Sequence, residues 1–296
     1  MDIAASSTHP LVPGDSTPGQ VHCAPGGVAR NVAENLARLG HDVRLLSVVG
    51  DDLYGRSLLE LARVAGVDVA WCEVLAGQAT STYVSLHGPD GELALAVNDM
   101  AILECMTPVR LAPFASRVRD ASALLVDCNL PEAALAWLCT HAQGVPVFAD
   151  AVSAFKCRRV LPWLAHIHTL KVNQLEAQAL WGQVVDTDAA VQAAVRWLHA
   201  QGVQRVAFSL GERGLYWSDA GHASGWQAAV PVDVVSATGA GDALMAGLLH
   251  AHLQGAALAQ AVLFASGCAA LTLTAPQANH ANLSVPTVRQ LLGLTG

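Results

Sequence analysis

Ala123-Leu124-Leu125-Val126, Val145-Pro146-Val147-Phe148 and His168-Thr169-Leu170-Lys171-Val172 are short apolar runs, and Glu132–His141 and Phe155–Trp163 between them carry helical spacing. Parallel strands need a crossover long enough to hold a helix. The helices then cover both faces of the sheet, which lets the strands read as continuous apolar runs. The alternation continues downstream. Glu176–Leu180 and Val191–Ala200 are helical, Val203–Ser209 and the segment around Tyr216 are strands, and two apolar helices fill Ala243–Leu273. Upstream, helix Val28–Leu39 is stopped by Gly40, strand Val43–Val49 ends in Gly-Asp-Asp, and helix Tyr54–Ala65 is closed by Gly66. The expected fold is α/β, with a mainly parallel central sheet between helices. One segment breaks the pattern: Thr80–Leu86 and Glu92–Val97 alternate with period two and are joined by Gly88-Pro89-Asp90-Gly91. They form a hairpin, placed where a lid over the sheet's edge could be built.

Composition narrows the classes of function. The 296 residues are 53% hydrophobic and 14% charged, enough for a large core in one domain with an appended subdomain or in two domains. A net charge of −8 and the absence of any Lys/Arg run argue against nucleic acid as the main partner. A small anionic ligand must therefore be held by loops and single basic residues. The seven cysteines are scattered with no C-x-x-C pair and are expected to be reduced. Met1-Asp2-Ile3-Ala4 does not start a signal peptide, and Ala243–Leu273 is interrupted by His250, His252, Gln254 and Gln260, so no membrane span is expected. A soluble cytoplasmic protein follows. The H-x-H pairs His166/His168 and His250/His252 have no carboxylate or Cys at matching spacing, and ordinary histidines are expected there rather than a metal site.

Four segments carry the chemistry. Ser236-Ala237-Thr238-Gly239-Ala240-Gly241-Asp242 runs straight into an apolar helix. Its amides and the positive end of the helix attract phosphate, and Asp242 is either an ordinary helix-start cap or a base beside that phosphate. Gly26-Gly27-Val28-Ala29-Arg30-Asn31 opens a helix with two glycines, which permit close approach to a ligand, and Asn31 can bond a sugar hydroxyl. Asn173-Gln174-Leu175-Glu176 follows a strand and places an amide and a carboxylate three apart; this suits Mg²⁺ through water, or a plain capping pattern. Ser209-Leu210-Gly211-Glu212-Arg213-Gly214 is either a loop that touches nucleotide phosphates or a β-turn.

Together these segments resemble the ribokinase-like (PfkB) sugar kinase family. Gly26–Val67, including Gly50-Asp51-Asp52-Leu53-Tyr54-Gly55, is similar to the family's N-terminal signature, and Ser236–Gly247 to its C-terminal one. The resemblance covers essentially the whole chain. Within the family, the run Gly26–Leu36 and Asn98-Asp99-Met100 are most similar to members that phosphorylate pseudouridine; Val28 stands where ribokinases usually carry Lys.

The resemblance implies a three-layer ribokinase-like fold, one kinase domain over residues 1–296, and a β lid formed by about 1–25 and 68–100. It implies transfer of the ATP γ-phosphoryl group to a ribose 5′-hydroxyl, with pseudouridine as substrate. The alternatives are another nucleoside or free sugar, such as adenosine or ribose, or a catalytically silent ligand-binding relative. Asp242 would be the base, and the amides of Gly239, Ala240 and Gly241 the anion hole. Asn173 and Glu176 would organise Mg²⁺ through water, Ser209, Gly211, Gly214 and Thr238 would lie along ATP, and Asn279 near the adenine. Asp2, Gly26, Gly27, Asn31 and Asn129 would contact the substrate, with Thr82, Asn98 and Asp99 closing over its base. Two departures stand out. Met1-Asp2-Ile3 is similar to the tail of the family's first core strand, so that strand is expected to be truncated. Ser236 replaces an Asp or Asn that helps hold a monovalent cation in several relatives, which weakens the case for K⁺ and leaves it open. The strand edges of the lid suggest a homodimer formed lid to lid.

Overall fold

The computed structural model describes residues 1–294. Its strands run in the order β1 (Asp2–Ser7), β2 (Gly19–Ala24), β3 (Arg44–Gly50), β4 (Asp68–Leu75), β5 (Thr82–His87), β6 (Leu93–Asp99), β7 (Leu124–Asp127), β8 (Val147–Asp150), β9 (Thr169–Asn173), β10 (Arg205–Ser209), β11 (Leu215–Asp219) and β12 (Ser224–Gln227). The main sheet is β12-β11-β10-β9-β8-β7, with β7 to β10 parallel and β11 and β12 antiparallel. Alternation along each strand sends side chains to two cores. Val147, Ala149, Val206 and Phe208 pack into the larger one, with the Glu132–His141, Gln174–Trp181 and Asp188–Ala200 helices. Phe148 and Ala207 pack into the other, under the helices Val28–Arg38, Ala240–Leu253 and Leu258–Leu273. Helices thus cover both faces.

The lid is a separate sheet, β2-β1-β5-β6. Its hairpin pairs Thr82 with Asp99 and Val84 with Val97, as the period-two pattern predicts. Three expectations are corrected. Asp68–Leu75, included in the lid by the 68–100 bounds that the resemblance implies, pairs in parallel with β3 across the Leu53–Val64 helix. Of the 68–100 segment, the lid sheet takes only Thr82–His87 and Leu93–Asp99. Met1-Asp2-Ile3, expected to be the tail of a core strand, instead opens lid strand β1. Finally, Phe155–Trp163 is replaced by a 3₁₀ segment over Cys157–His166, because Pro162 inside it cannot donate to an α-helical ladder. Among the described residues no helix is long and apolar enough to cross a membrane, and all seven cysteines are free.

The parallel register aligns charge at the carboxyl ends of the strands, where open α/β sheets place their ligands. Asp127 sits opposite Asp150, and Asp150 opposite Lys171.

Candidate active site

The Ala240–Leu253 helix begins at Gly239, whose φ of 81° is left-handed and whose missing side chain avoids the Ala278 carbonyl oxygen. No side chain caps this helix, so its first amides are not claimed by a cap. Beneath them lies Lys171. A Cβ on Gly241 would sit 2.9 Å from the Lys171 Nζ. Burial opposes the Lys171 charge, but Asp150, Glu176 and Asp242 around it outweigh burial and hold its pKa above the ordinary lysine value. Its Nζ donates to both carboxylate oxygens of Asp150, at 3.0 and 3.3 Å. Backbone donors and a buried ammonium converge, an arrangement whose positive potential attracts an anion.

Asp242, in the first turn of the same helix, is only 9% exposed. Burial and the nearby Asp150 charge push its pKa up to about 7, against the lowering effects of Asn31 and Lys171. The Asn31 Nδ2 donates to Asp242 Oδ2 at 2.7 Å. Asn31 is fixed in turn by Arg30, which bonds the Asn31 Oδ1, Glu34 and the Gly26 carbonyl.

Gly27 caps the Val28–Arg38 helix with no side chain, and Asp127 substitutes from the sheet. Its Oδ2 accepts from the Ala29 N–H at 3.0 Å and its Oδ1 from the Asn129 N–H at 2.8 Å. The Asn129 Oδ1 accepts from Lys156 Nζ at 2.6 Å. The Asp2 carboxylate lies against Gly26, and burial raises its pKa. Asp2, Gly26, Gly27, Asp127 and Asn129 share one cavity of about 720 Å³. Thr82, Asn98 and Asp99 stand apart from it on the lid; the Asp99 Oδ1 accepts from the Ala101 N–H.

At the end of β9, Asn173 and Glu176 form a reciprocal capping box. Each bonds the other's backbone N–H, at 2.8 and 2.9 Å, and Asn173 Nδ2 also donates to Glu176 Oε1 at 2.9 Å. Glu176 is 1% exposed, and both its oxygens already accept from Asn173. It therefore fits no direct bond to Mg²⁺; the pair fits only the water-mediated role. Ser209 ends β10 and donates to the Val172 carbonyl, and the Gly211–Arg213 turn leads to Gly214 beside it. The Thr238 N–H donates to Ser236 Oγ at 3.2 Å. Asn279 is a correction. Its amide donates to the Asn31 carbonyl and Asn35 Oδ1 and accepts from Arg30, so it is spent bracing the Val28–Arg38 helix rather than facing a base.

Sequence reasoning missed Lys171, Asp150 and Asp127. The available signal was a lysine inside an apolar strand with both faces covered, and carboxylates ending two neighbouring strands.

Comparisons with known proteins address the family and the fold. A 42% identical relative over 292 residues, spanning 99% of this chain and 93% of its own, is a pseudouridine kinase of Escherichia coli. A second E. coli relative, equally 42% identical over 99% of this chain and 81% of its own, is an uncharacterized sugar kinase. The structure of an Arabidopsis thaliana ribokinase complexed with ribose and ATP superimposes with a TM-score of 0.91 at 22% identity, over 99% of this chain and 96% of that one, so the fold is ribokinase-like. With the pfkB family carbohydrate kinase pattern matching residues 2–285, the chain belongs to that family of phosphotransferases acting on a hydroxyl group.

Proposed function

We propose that the protein transfers the γ-phosphoryl group of ATP to the ribose 5′-hydroxyl of pseudouridine, giving pseudouridine 5′-phosphate. One observation carries the reading: a buried carboxylate with a pKa of about 7 stands beside an uncapped helix start and above a buried lysine. Asp242 accepts the 5′-hydroxyl proton as the oxygen attacks the γ-phosphorus. The bond to the bridging oxygen of ADP breaks in line, and the Gly239–Gly241 amides receive the charge on the transferred group. A base whose pKa lies near working pH suits this task. Asn31 holds Asp242 in position and, with Asp2 and Asn129, lies where ribose hydroxyls would be read. The lid residues Thr82, Asn98 and Asp99 are assigned to the base. The 42% identical pseudouridine kinase supports that substrate, although the equally similar sugar kinase leaves other acceptors in play.

Magnesium would neutralise the polyphosphate, with Asn173 and Glu176 reaching it through water. Ser236 offers a neutral hydroxyl that already accepts from Thr238, so no K⁺ is assigned to it. We place the enzyme in the reducing cytoplasm on its free cysteines. A lid-to-lid homodimer is supported by Val21, Leu93, Leu95 and Val97, all more than half exposed on the edge strands.

Coupled ADP release with pseudouridine, uridine, adenosine, ribose and fructose tests the substrate. Pseudouridine should give the highest kcat/KM. Better turnover of ribose or adenosine would overturn the assignment, and ligand binding without ADP release would overturn the chemistry.

A further inference from the structure

The segment between the Leu258–Leu273 and Val285–Leu291 helices is irregular, yet Ala278 and Asn279 within it are buried. A buried loop residue needs partners for its polar groups, and those of Asn279 all belong to one helix, Val28–Arg38. Its Nδ2 donates to the Asn31 carbonyl at 2.8 Å and to Asn35 Oδ1 at 2.9 Å, and its Oδ1 accepts from Arg30 at 3.1 Å. The same Arg30 nitrogen donates to Asn31 Oδ1 at 2.8 Å. Two residues on, the Ala281 carbonyl accepts from Arg38 at 2.6 Å.

One residue earlier, the segment meets a different element. The Ala278 carbonyl lies directly against Gly239, where any side chain would strike it. The start of the segment is fastened to the same loop: the Leu273 carbonyl accepts from the Val235 and Ser236 N–H groups at 2.8 and 3.2 Å. Adjacent residues thus back the start of the Ala240–Leu253 helix and the turn that presents Asn31. Asn31 donates to Asp242 at 2.7 Å, which closes a ring through Gly239, Ala278, Asn279, Asn31 and Asp242.

Cohesion alone does not explain this polar cluster. Asn35 is fully buried, and its Nδ2 has no hydrogen-bond partner among the described residues. An orphaned buried donor is costly, and apolar side chains at 35 and 279 would join the two surfaces without it. Apolar contacts are not directional. Hydrogen bonds to both the backbone and, through Arg30, the side chain of Asn31 are.

We propose that Asn279 is a positioning residue for phosphoryl transfer: through Asn31 it orients the Asp242 carboxylate, and through Ala278 it holds the Gly239 turn. The inference rests on the roles proposed for Asp242 and the Gly239–Gly241 amides, not on which acceptor is used. Asp242 is also faced by Lys171, Asp150 and Asp127 from the sheet, whose bonds do not involve Asn279.

The test compares the full chain with Asn279→Ala, Ala278→Gly, Asn31→Ala and the Asn31→Ala, Asn279→Ala double variant. Val195→Ala, a buried substitution on the Asp188–Ala200 helix, is the stability control. ADP release is followed against pH with whichever acceptor the parent turns over. Amide exchange of Ala243–Met245, the first bonded turn after Gly239, is read without ligand. Asn279→Ala should cut kcat roughly 10–100-fold, move the acid limb to higher pH and speed exchange of those amides. The double variant should move the limb no further than Asn31→Ala alone. Ala278→Gly should speed the same amides and lower kcat with the limb in place, whereas Val195→Ala should lower only the melting temperature. An unmoved limb in Asn279→Ala, or additive shifts in the double variant, would overturn the proposal. So would a kcat that simply tracks melting temperature across all variants. If the parent releases no ADP with any acceptor, the kinase reading fails and exchange alone decides: unchanged Ala243–Met245 amides in Asn279→Ala would show that Asn279 positions nothing at this helix start.

Discussion

Asp242 combines two demands that pull in opposite directions. As a base it must be ionised, yet burial and Asp150 favour its neutral form and lift its pKa to about 7. The rate should therefore fall on acidification through pH 7. Asn31→Ala removes a bond that lowers this pKa, and should move the acid limb to higher pH while raising KM for the nucleoside. Asp242→Asn should cut kcat by about 10²–10⁴-fold. Its effect on stability has the opposite sign. A carboxyl whose folded pKa is raised contributes stability below 3.8 that is lost as pH rises through about 7. The neutral amide escapes that loss, so Asp242→Asn should melt well above the parent at pH 8, with the gap narrowing as pH falls and closing only near 3.8. Each ~1 kcal/mol relieved corresponds to roughly 2–4 °C. A lower melting point at pH 8 would sink this account. Asp242 and Asn31 were legible because each sits in a local glycine-rich pattern. Lys171 and Asp150 were not, because their meeting depends on the pairing of β8 with β9, which no local spacing encodes.

At the scale of elements, the start of the Ala240–Leu253 helix should behave as two separable devices. Gly239→Ala places a side chain at a left-handed φ and drives it into the Ala278 carbonyl, so both fold and cradle suffer. The backbone conformation alone costs about 1–2 kcal/mol. Gly241→Ala meets only the far end of a flexible lysine at 2.9 Å. It should displace the Lys171 charge and strain its buried bonds to Asp150, without the backbone strain of Gly239→Ala. Calorimetry with steady-state kinetics separates the two: a large fall in both melting temperature and kcat for Gly239→Ala, and a fall in kcat above ten-fold with a smaller fall in melting temperature for Gly241→Ala. If the two variants lost stability equally, the distinction between strain and charge would fail. The alternation that yielded β7 to β10 was readable because strands buried on both faces differ sharply from their crossover helices. The 68–100 bounds misplaced β4, whose partner is β3, chosen by the crossover through Leu53–Val64.

Across the whole molecule, two histidine pairs fasten the Ala240–Leu253 helix to its surroundings. His250 bonds His41 at 2.8 Å, tying the helix to the turn after Val28–Arg38, and stacks on Phe264. His252 packs on His168 and Phe148, tying the same helix to the sheet. Neither contact follows from the H-x-H spacing, since each pair joins residues from distant elements. Burial, followed by the charge of the paired histidine, lowers the pKa of both His168 and His250 to about 4. A histidine depressed from 6.5 contributes stability that is complete above 6.5 and is lost as pH falls toward 4. The half-buried Asp2 and the buried Asp127, Glu176 and Asp242, all raised by burial, work in the opposite sense, so the parent's overall pH curve is a balance. The histidine share is isolated by slope. The double variant His168→Asn, His250→Asn should start from a lower melting point at pH 6.5, because packing is lost. It should then lose roughly 3–6 °C less than the parent between pH 6.5 and 4.5. Parallel curves for the two proteins would show that these rings are protonated in the folded state without penalty. The clamp on the helix that carries Asp242 would then be packing alone.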